Sequence, residues 1–202
     1  MKKYFILSYC LIFFSCLLVA QPRIISGPML GPVELRDAKV WIEVSPEVNA
    51  VALQLFKKGE TKMIKTIPFK GSLENDFNPI TFTVGGLEVN TTYEYKFLVN
   101  GKPASQSGTF TTKDLWQWRK PVPDFSFLTG SCAYFNQPQY DRPGKPYGGD
   151  SSIFESMAKE KSAFMVWLGD EWYTREVDYY SDWGLWYRAQ HDRSMPELQN
   201  FL

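Results

Sequence analysis

The segment Leu87-Glu88-Val89-Asn90-Thr91-Thr92-Tyr93 decides the fold of the first half of the chain. It places a leucine six residues before a tyrosine, and the tyrosine opens a β-type run that extends to Val99. A tyrosine in this position can bury its ring while its hydroxyl bonds back to the backbone of the preceding turn. We therefore predict that Tyr93 is a structural residue at the start of a strand.

Further strand signals lie on both sides of this segment. Apolar residues alternate with polar ones in several runs, and Asn100-Gly101 is a strong hairpin signal because both residues tolerate positive φ. The runs rich in β-branched and aromatic residues are 38–44, 51–56, 62–67, 79–84, 93–99 and 107–112. Six or seven short strands predict an all-β sandwich over residues 23–113, whose corner motif resembles that of immunoglobulin and fibronectin type III domains.

The pattern changes to α/β after a proline-containing linker at residues 114–123. An apolar strand, a helix and a second apolar strand predict a parallel pair, and we expect the second strand to be covered on both faces. A capping box formed by Ser152 and Glu155 should open the first helix. The predicted elements are strand 125–128, helix 151–161, strand 164–168 and helix 183–193.

The N-terminus has the pattern of an export signal. Lys2 and Lys3 precede an uncharged apolar run that ends at Ala20, a plausible cleavage site. We expect removal of residues 1–20 and an exported protein, which would be periplasmic, on the cell surface or extracellular. An uncleaved anchor helix is the alternative, and lipid attachment at Cys16 is less well supported. No later segment is apolar enough to span a membrane.

Composition narrows the classes of function. The chain has 22 basic and 22 acidic residues, which argues against a broad nucleic-acid-binding surface. After signal cleavage Cys132 is the only cysteine, so no internal disulfide is possible. This cysteine is then a buried apolar residue, a metal ligand or a nucleophile.

Three candidate ligands lie at or near the carboxyl ends of the two predicted parallel strands. Asp170 follows a buried strand and Gly169, which suits a metal ligand and equally the N-cap of a following helix. Tyr173 lies three residues later, and a phenol binds a metal only where a strong Lewis acid displaces its proton. Cys132 can add a thiolate from the neighbouring strand end. Together the three favour a trivalent ion over magnesium.

Other residues have weaker signals. Arg142, Lys145 and Arg175 flank the predicted site, where they either bind phosphate oxygens or keep the loops soluble, and we take Arg175 as the catalytic candidate among them. His191 is predicted to be a surface or packing residue. The aromatic residues Tyr179, Tyr180, Trp183 and Trp186 are predicted to serve packing.

Three segments carry a resemblance to a known family. They are 127–132 with its Gly-Ser-Cys ending, the loop 140–150, and 167–176 with Gly-Asp-x-x-Tyr. These resemble the start of the alkaline phosphatase D (PhoD-like) metallophosphoesterases, which place an immunoglobulin-like domain before the catalytic domain. The resemblance spans about residues 24–202.

The resemblance implies roles for the three ligands. Cys132 would bind ferric iron, Tyr173 would be a phenolate on the iron, and Asp170 would bridge Fe³⁺ to a second metal, Ca²⁺ in this family. The implied reaction is attack of a metal-bound hydroxide on a phosphomonoester or phosphodiester, with Asp170 in the catalytic group.

The family also uses ligands that would follow this region, namely an Asn-His pair and later Asp and His residues. Because the chain has a single histidine, we expect residues 124–202 to be an incomplete metallophosphoesterase domain, inactive by itself. A catalytically inactive exported binding module that uses its sandwich for partner contact is the alternative. A thiol or redox enzyme built on Cys132 is a third, weaker hypothesis.

Overall fold

The computed structural model describes residues 21–202, and the predicted export signal at 1–20 lies outside them. The first seven strands are β1 (Ile24–Val33), β2 (Asp37–Val44), β3 (Val51–Lys57), β4 (Met63–Pro68), β5 (Asn78–Gly85), β6 (Thr92–Val99) and β7 (Lys102–Thr111). They form a three-stranded sheet in the order β1-β2-β5 and a four-stranded sheet in the order β4-β3-β6-β7, with antiparallel pairing throughout. The predicted sandwich is therefore confirmed.

The core of the sandwich comes from the alternating positions of both sheets. On β2, Val40 and Ile42 are fully buried, and on β3 Leu53 and Leu55 are fully buried. Cross-strand partners such as Leu53 and Phe97 continue the same inner face. Each such side chain contributes about 1.5–3 kcal/mol through removal from water, so this alternation is the main driving force for the first half of the chain.

The corner at Tyr93 forms as predicted. Its hydroxyl accepts a hydrogen bond of 2.8 Å from the backbone N–H of Glu88, and its ring packs against Phe110. The hairpin signal is also confirmed, because Asn100 and Gly101 both have positive φ, 48° and 76°, between β6 and β7. The amide oxygen of Asn100 also accepts bonds from the backbone of residues 49 and 50, which ties this turn to the start of β3.

Strand β1 is absent from the six predicted runs. It contains Gly27, Pro28, Gly31 and Pro32, which normally interrupt strands, and its pairing with β2 shifts register in three places. Because β1 is the edge of its sheet, a proline there removes no hydrogen bond from a second neighbour. The edge position therefore explains why a strand forms in this sequence.

The second half contains a parallel pair of strands and three helices. Strand β8 (Phe127–Gly130) pairs with β9 (Phe164–Trp167), with Leu128 opposite Met165, and helix α1 (Ile153–Lys159) connects them. The parallel pairing agrees with the predicted strand, helix and strand. Helices α2 (Asp182–Arg193) and α3 (Pro196–Phe201) follow.

Two expectations about this half are wrong. Ser152 already has helical dihedrals (φ −58°, ψ −15°), so its side chain makes no capping bond, and Asp150 accepts the Ser152 N–H instead at 2.8 Å. Strand β9 is not covered on both faces: Phe164 and Val166 are exposed, because the apolar residues of α1 cover only the side with Met165 and Trp167.

Helices α2 and α3 pack on the three-stranded sheet along a surface that we call the seam. The side chain of Gln199 accepts from the N–H of Gly27 at 2.6 Å and donates to the hydroxyl of Ser26 at 2.8 Å. On α2, Gln190 donates to the buried carboxylate of Glu43 at 3.0 Å. Among residues 21–202, no helix is long and apolar enough to cross a membrane.

Candidate metal centre

Cys132 and Asp170 follow the two parallel strands in the same unusual backbone conformation. Both have left-handed dihedrals, with φ values of 59° and 50°. The N–H of Ala133 donates to the carbonyl oxygen of Asp170 at 3.1 Å, and the N–H of Leu168 donates to Gly130 at 2.8 Å, so the two strand ends are joined to each other. A cysteine rarely adopts this conformation, and residues so strained are concentrated at functional sites.

Tyr173 completes this group. Its hydroxyl donates to a carboxylate oxygen of Asp170 at 3.0 Å. A hydrogen bond with the Cys132 thiol, partial desolvation and the Asp170 carboxylate together raise the pKa of Tyr173 well above its ordinary value. The three sequence-predicted ligands therefore meet at one point.

The alternative role of Asp170 as an N-cap is wrong. The five residues after Asp170 form no helix. The next helix, α2, begins at Asp182, and the hydroxyl of Ser181 caps it by accepting from the N–H of Gly184 at 3.0 Å.

The donor set fits a ferric ion. A thiol, a carboxylate and a phenol converge here, and all three become anionic ligands on a strong Lewis acid. Residues 21–202 contain no group of three or more His, Cys, Asp and Glu side chains that could hold a metal. The present cluster is not such a group because its third donor is a tyrosine. Calcium takes six to eight oxygen ligands. The three side chains supply a single carboxylate, that of Asp170, so they do not fit a Ca²⁺ ion.

The structure places Arg175 beside the cluster and buries it. Its guanidinium bonds to a carboxylate oxygen of Asp141 at 3.0 Å and to the carbonyl oxygens of Tyr173, at 3.1 Å, and Phe135. It also lies over the ring of Tyr134, 4.4 Å from the centroid. These contacts hold the backbone next to the candidate ligand Tyr173, and a direct contact of Arg175 with substrate stays a prediction.

Asp141 has an important position that sequence reasoning missed. Burial opposes its ionisation, but bonds from the Tyr134 hydroxyl, the Gln137 N–H and Arg175 outweigh this effect and hold its pKa below the ordinary value. Burial and the bond to Asp141 in turn raise the pKa of Tyr134. Asp141 and Arg175 are 34 residues apart in irregular loops, so no spacing in the sequence indicates their contact.

A buried ion network supports the segment that follows Asp170 and Tyr173. The carboxylate of Asp178 accepts from the Arg175 N–H and from the guanidinium of Arg188, both at 2.8 Å. Arg188 is fully buried and also reaches Asp192 at 3.4 Å. His191 bonds to Asp192 and its ring lies against that of Tyr187, with centroids 5.9 Å apart at 38°, which places it in packing contacts on α2.

The remaining candidates are more exposed. Arg142 lies on the loop facing the cluster, and its Nε donates to Glu176 at 2.8 Å. Lys145 is exposed on the same loop. Trp183 and Trp186 pack on Phe77 of the sandwich, although each remains about half exposed.

Comparisons with known proteins support the fold alone. No family model matches the sequence, and no curated protein sequence matches it. Among solved structures, that of PhoD superposes with a TM-score of 0.63 at 17% identity and covers 91% of this chain. The chain spans 37% of the length of that structure.

Two further similarities are weaker. The sensor domain of the anti-sigma factor RsgI4 from Pseudobacteroides cellulosolvens matches 51% of this chain and 98% of its own, with 20% identity and a TM-score of 0.37. A human fibronectin type III domain matches 50% of this chain and 93% of its own, with 14% identity and a TM-score of 0.33. The TM-scores of these two matches are too low to support a fold assignment. The fold similarity therefore rests on the PhoD structure alone.

Proposed function

We propose that the chain carries part of the active site of an exported, metal-dependent phosphoesterase. The observation that carries this proposal is the meeting of Cys132, Asp170 and Tyr173 at the ends of two parallel strands. The shared fold with the PhoD structure agrees with it. The substrates would be phosphomonoesters or phosphodiesters.

The three side chains would hold ferric iron, as the resemblance to PhoD-like enzymes implies. When bound, the ion supplies Lewis acidity toward the phosphoryl oxygens and toward the attacking water. In the overall reaction, water adds to phosphorus, the ester P–O bond breaks and the leaving oxygen takes a proton. A second metal such as Ca²⁺ is implied by the family resemblance alone, and because the donors described here do not fit it, no residue is assigned to it.

The residues of this chain have defined tasks in such a site. Tyr173 must release the proton that it now donates to Asp170, so metal binding and proton release are coupled. Arg175 positions the backbone carbonyl of Tyr173, and Asp178 binds the N–H of Arg175, so the backbone that follows Tyr173 is held by two hydrogen bonds. These contacts would orient the metal-binding side chains before the metal binds, which is the usual requirement for an efficient site.

Iron binding tests the metal assignment directly. We expect the full chain to bind Fe³⁺ with a visible tyrosinate-to-iron charge-transfer band, which Tyr173→Phe abolishes and Cys132→Ser weakens. The matched control is Tyr147→Phe, which changes a nearby exposed phenol outside the cluster and should retain the band. A folded chain without the band, or a band that survives Tyr173→Phe, would refute the assignment.

Activity and export need separate measurements. Hydrolysis of p-nitrophenyl phosphate or bis(p-nitrophenyl) phosphate by the iron-loaded chain supports an active site. Because residues 124–202 are expected to be inactive by themselves, a chain that binds iron and hydrolyses neither ester agrees with the proposal. A folded chain that neither binds iron nor hydrolyses these esters favours the inactive binding module. Fractionation with N-terminal sequencing should yield a chain beginning at Gln21 outside the cytoplasm, and a membrane-bound chain that keeps residues 1–20 would support the anchor.

A further inference from the structure

A cavity of about 420 Å³ opens directly beside the candidate metal ligands. Cys132 and Tyr173 form part of its wall, and Tyr134, Tyr147, Arg142 and Glu176 form much of the rest. A molecule in this cavity would therefore contact both the candidate metal ligands and a surface made of aromatic rings and one ion pair.

Arg142 is the cation in this wall that is available to a ligand. Its Nε is bonded to Glu176, its side chain is 66% exposed, and its other two nitrogens form no hydrogen bond with the described residues. The guanidinium of Arg175, which also borders the cavity, is by contrast used by protein oxygens. A guanidinium with a free pair of N–H groups matches two oxygens of a phosphate group.

Tyr147 presents an aromatic surface at the same cavity. Tyr147 is 63% exposed, and its ring contacts that of Tyr134, with centroids 5.4 Å apart at 60°. Tyr134 is itself fixed by the guanidinium of Arg175 and by its bond to Asp141. The ring of Tyr147 is thus supported on one side and open to a ligand on the other.

The backbone next to both residues is anchored. Asn136 bonds to Gly148 through both its amide nitrogen, at 2.7 Å, and its amide oxygen, at 2.9 Å, which fixes the residue after Tyr147. A Cβ at Gly148 would overlap the carbonyl oxygen of Tyr134, so the backbone at Gly148 packs directly against the backbone of Tyr134. Asp141, the residue before Arg142, is fixed by three hydrogen bonds. The loop therefore holds Arg142 and Tyr147 in place without a ligand.

We propose that Arg142, oriented by Glu176, binds phosphate oxygens and that Tyr147 stacks on the alcohol part of the substrate. The site would then prefer phosphate esters whose alcohol carries a planar ring over esters of small alkyl alcohols. This inference rests on the proposed phosphoesterase function and narrows its substrate class.

Equilibrium binding of non-hydrolysable probes tests the inference apart from activity. The probes are inorganic phosphate, methylphosphonate and phenylphosphonate, and adenosine monophosphate adds a nucleoside arm. With the full chain, Arg142→Ala should weaken every probe by about tenfold or more, since bonds to charged groups are strong. Glu176→Gln should have a smaller effect of the same direction, and Arg142→Lys should recover part of the loss.

Tyr147 is tested by the ratio of two affinities. Tyr147→Leu should lower the preference for phenylphosphonate over methylphosphonate by about three- to tenfold, the range of an aromatic pair. Tyr147→Phe should keep the preference. Comparison of phenylphosphonate with adenosine monophosphate then distinguishes an aryl from a nucleoside ester.

Lys145→Ala is the matched control for charge. It removes an exposed cation from the same loop but not from the cavity wall, and it should leave every affinity unchanged. An equal loss in Lys145→Ala and Arg142→Ala, an unchanged probe ratio in Tyr147→Leu, or no measurable binding by the unsubstituted chain would each overturn the inference. A missing iron band with intact probe binding would instead refute only the proposed function.

Discussion

The backbone at Cys132 and Asp170 is costly at the level of single residues. Each left-handed residue other than glycine costs about 1–3 kcal/mol, and here two of them face each other across neighbouring strand ends. The hydrogen bond from Ala133 to Asp170 offsets part of this cost. Such strain orients the thiol and the carboxylate toward Tyr173, which is consistent with a binding role.

The ionisation of Tyr173 should depend on its neighbour Cys132. Because the hydrogen bond with that thiol is the largest cause of the raised pKa, Cys132→Ala should move the titration of Tyr173 toward lower pH. Ultraviolet difference titration of the metal-free chain, compared with Tyr173→Phe, measures this phenol alone. Iron affinity should rise with pH, because binding releases the phenol proton.

Arg175 should matter for stability because its side chain is buried and bonds to several protein oxygens. Arg175→Lys loses the planar set of bonds to Asp141, Phe135 and Tyr173, and we expect a loss of about 2 kcal/mol in the free energy of unfolding. Urea denaturation provides the measurement. Arg142→Lys is the control, since its exposed ion pair should contribute little, and an equal loss in both variants would contradict the buried network.

At the level of the elements, the sequence was informative where the signals are local. The Tyr93 corner, the Asn100-Gly101 hairpin and the alternation on β2 each depend on residues within a few positions of one another, and all three form. Strand β1 was missed because its glycines and prolines are tolerated only at a sheet edge. That edge position follows from the pairing of distant strands and not from the local sequence.

The contacts of the candidate site also fall into those that the local sequence predicts and those that it does not. The proximity of Cys132, Asp170 and Tyr173 could be predicted because strand ends and a three-residue spacing bring them together, and their role as metal ligands stays a prediction. The pairing of Asp141 with Arg175 and the stacking of Tyr134 depend on how two irregular loops meet, which no periodicity encodes. Arg188 lies in the predicted helix 183–193, but its full burial depends on the carboxylates of Asp178 and Asp192, which the helix prediction does not indicate.

Helix α2 is positioned by a close approach at Gly184. A Cβ there would overlap the backbone of Asp178, whose side chain belongs to the ion network. Gly184→Ala should therefore displace α2 and cost about 1–3 kcal/mol, despite the higher helix propensity of alanine. Thermal unfolding measures the effect.

Gly85→Ala is the matched control for this substitution. A Cβ at Gly85 would meet nothing within 4 Å, and no left-handed φ restricts the position. It should leave the melting temperature nearly unchanged. A stabilised Gly184→Ala variant would show that the approach of α2 to Asp178 is less tight than the structure indicates.

At the level of the whole molecule, the seam joins the sandwich to helices α2 and α3 through buried polar groups. Glu43 is fully buried there, and Gln190 and Arg193 are the groups that face its carboxylate. The side chain of Arg193 also lies over the ring of Trp41, 5.1 Å from its centroid. Because the distance from Arg193 to Glu43 is 3.8 Å, the compensation of the buried charge is incomplete.

The stability of the seam should therefore depend on pH. Burial raises the pKa of Glu43 above 4.5, against the smaller effects of Gln190 and Arg193. A raised carboxyl pKa gives a contribution that is complete below 4.5 and is lost as the pH rises through the folded-state value. Glu43→Gln keeps an acceptor for Gln190 and should remove this decline, measured by urea denaturation from acidic to neutral pH.

An exposed carboxylate provides the comparison. Glu60→Gln, on the turn between β3 and β4, should keep the pH dependence of the unsubstituted chain. If the decline between acidic and neutral pH is the same in Glu43→Gln, the buried carboxylate is not its source.

The bonds from Gln199 to Ser26 and Gly27 also have a consequence for the order of events during synthesis. Every strand of the sandwich leaves the ribosome before α2 and α3 are made, and domains generally fold in that order. Strand β1 can therefore be folded before helices α2 and α3 are made, and these helices can then pack on it. Proteolysis of nascent chains of increasing length should show protection of residues 21–113 first, and Cys132, Asp170 and Tyr173 would then come together beside a sandwich that is already folded.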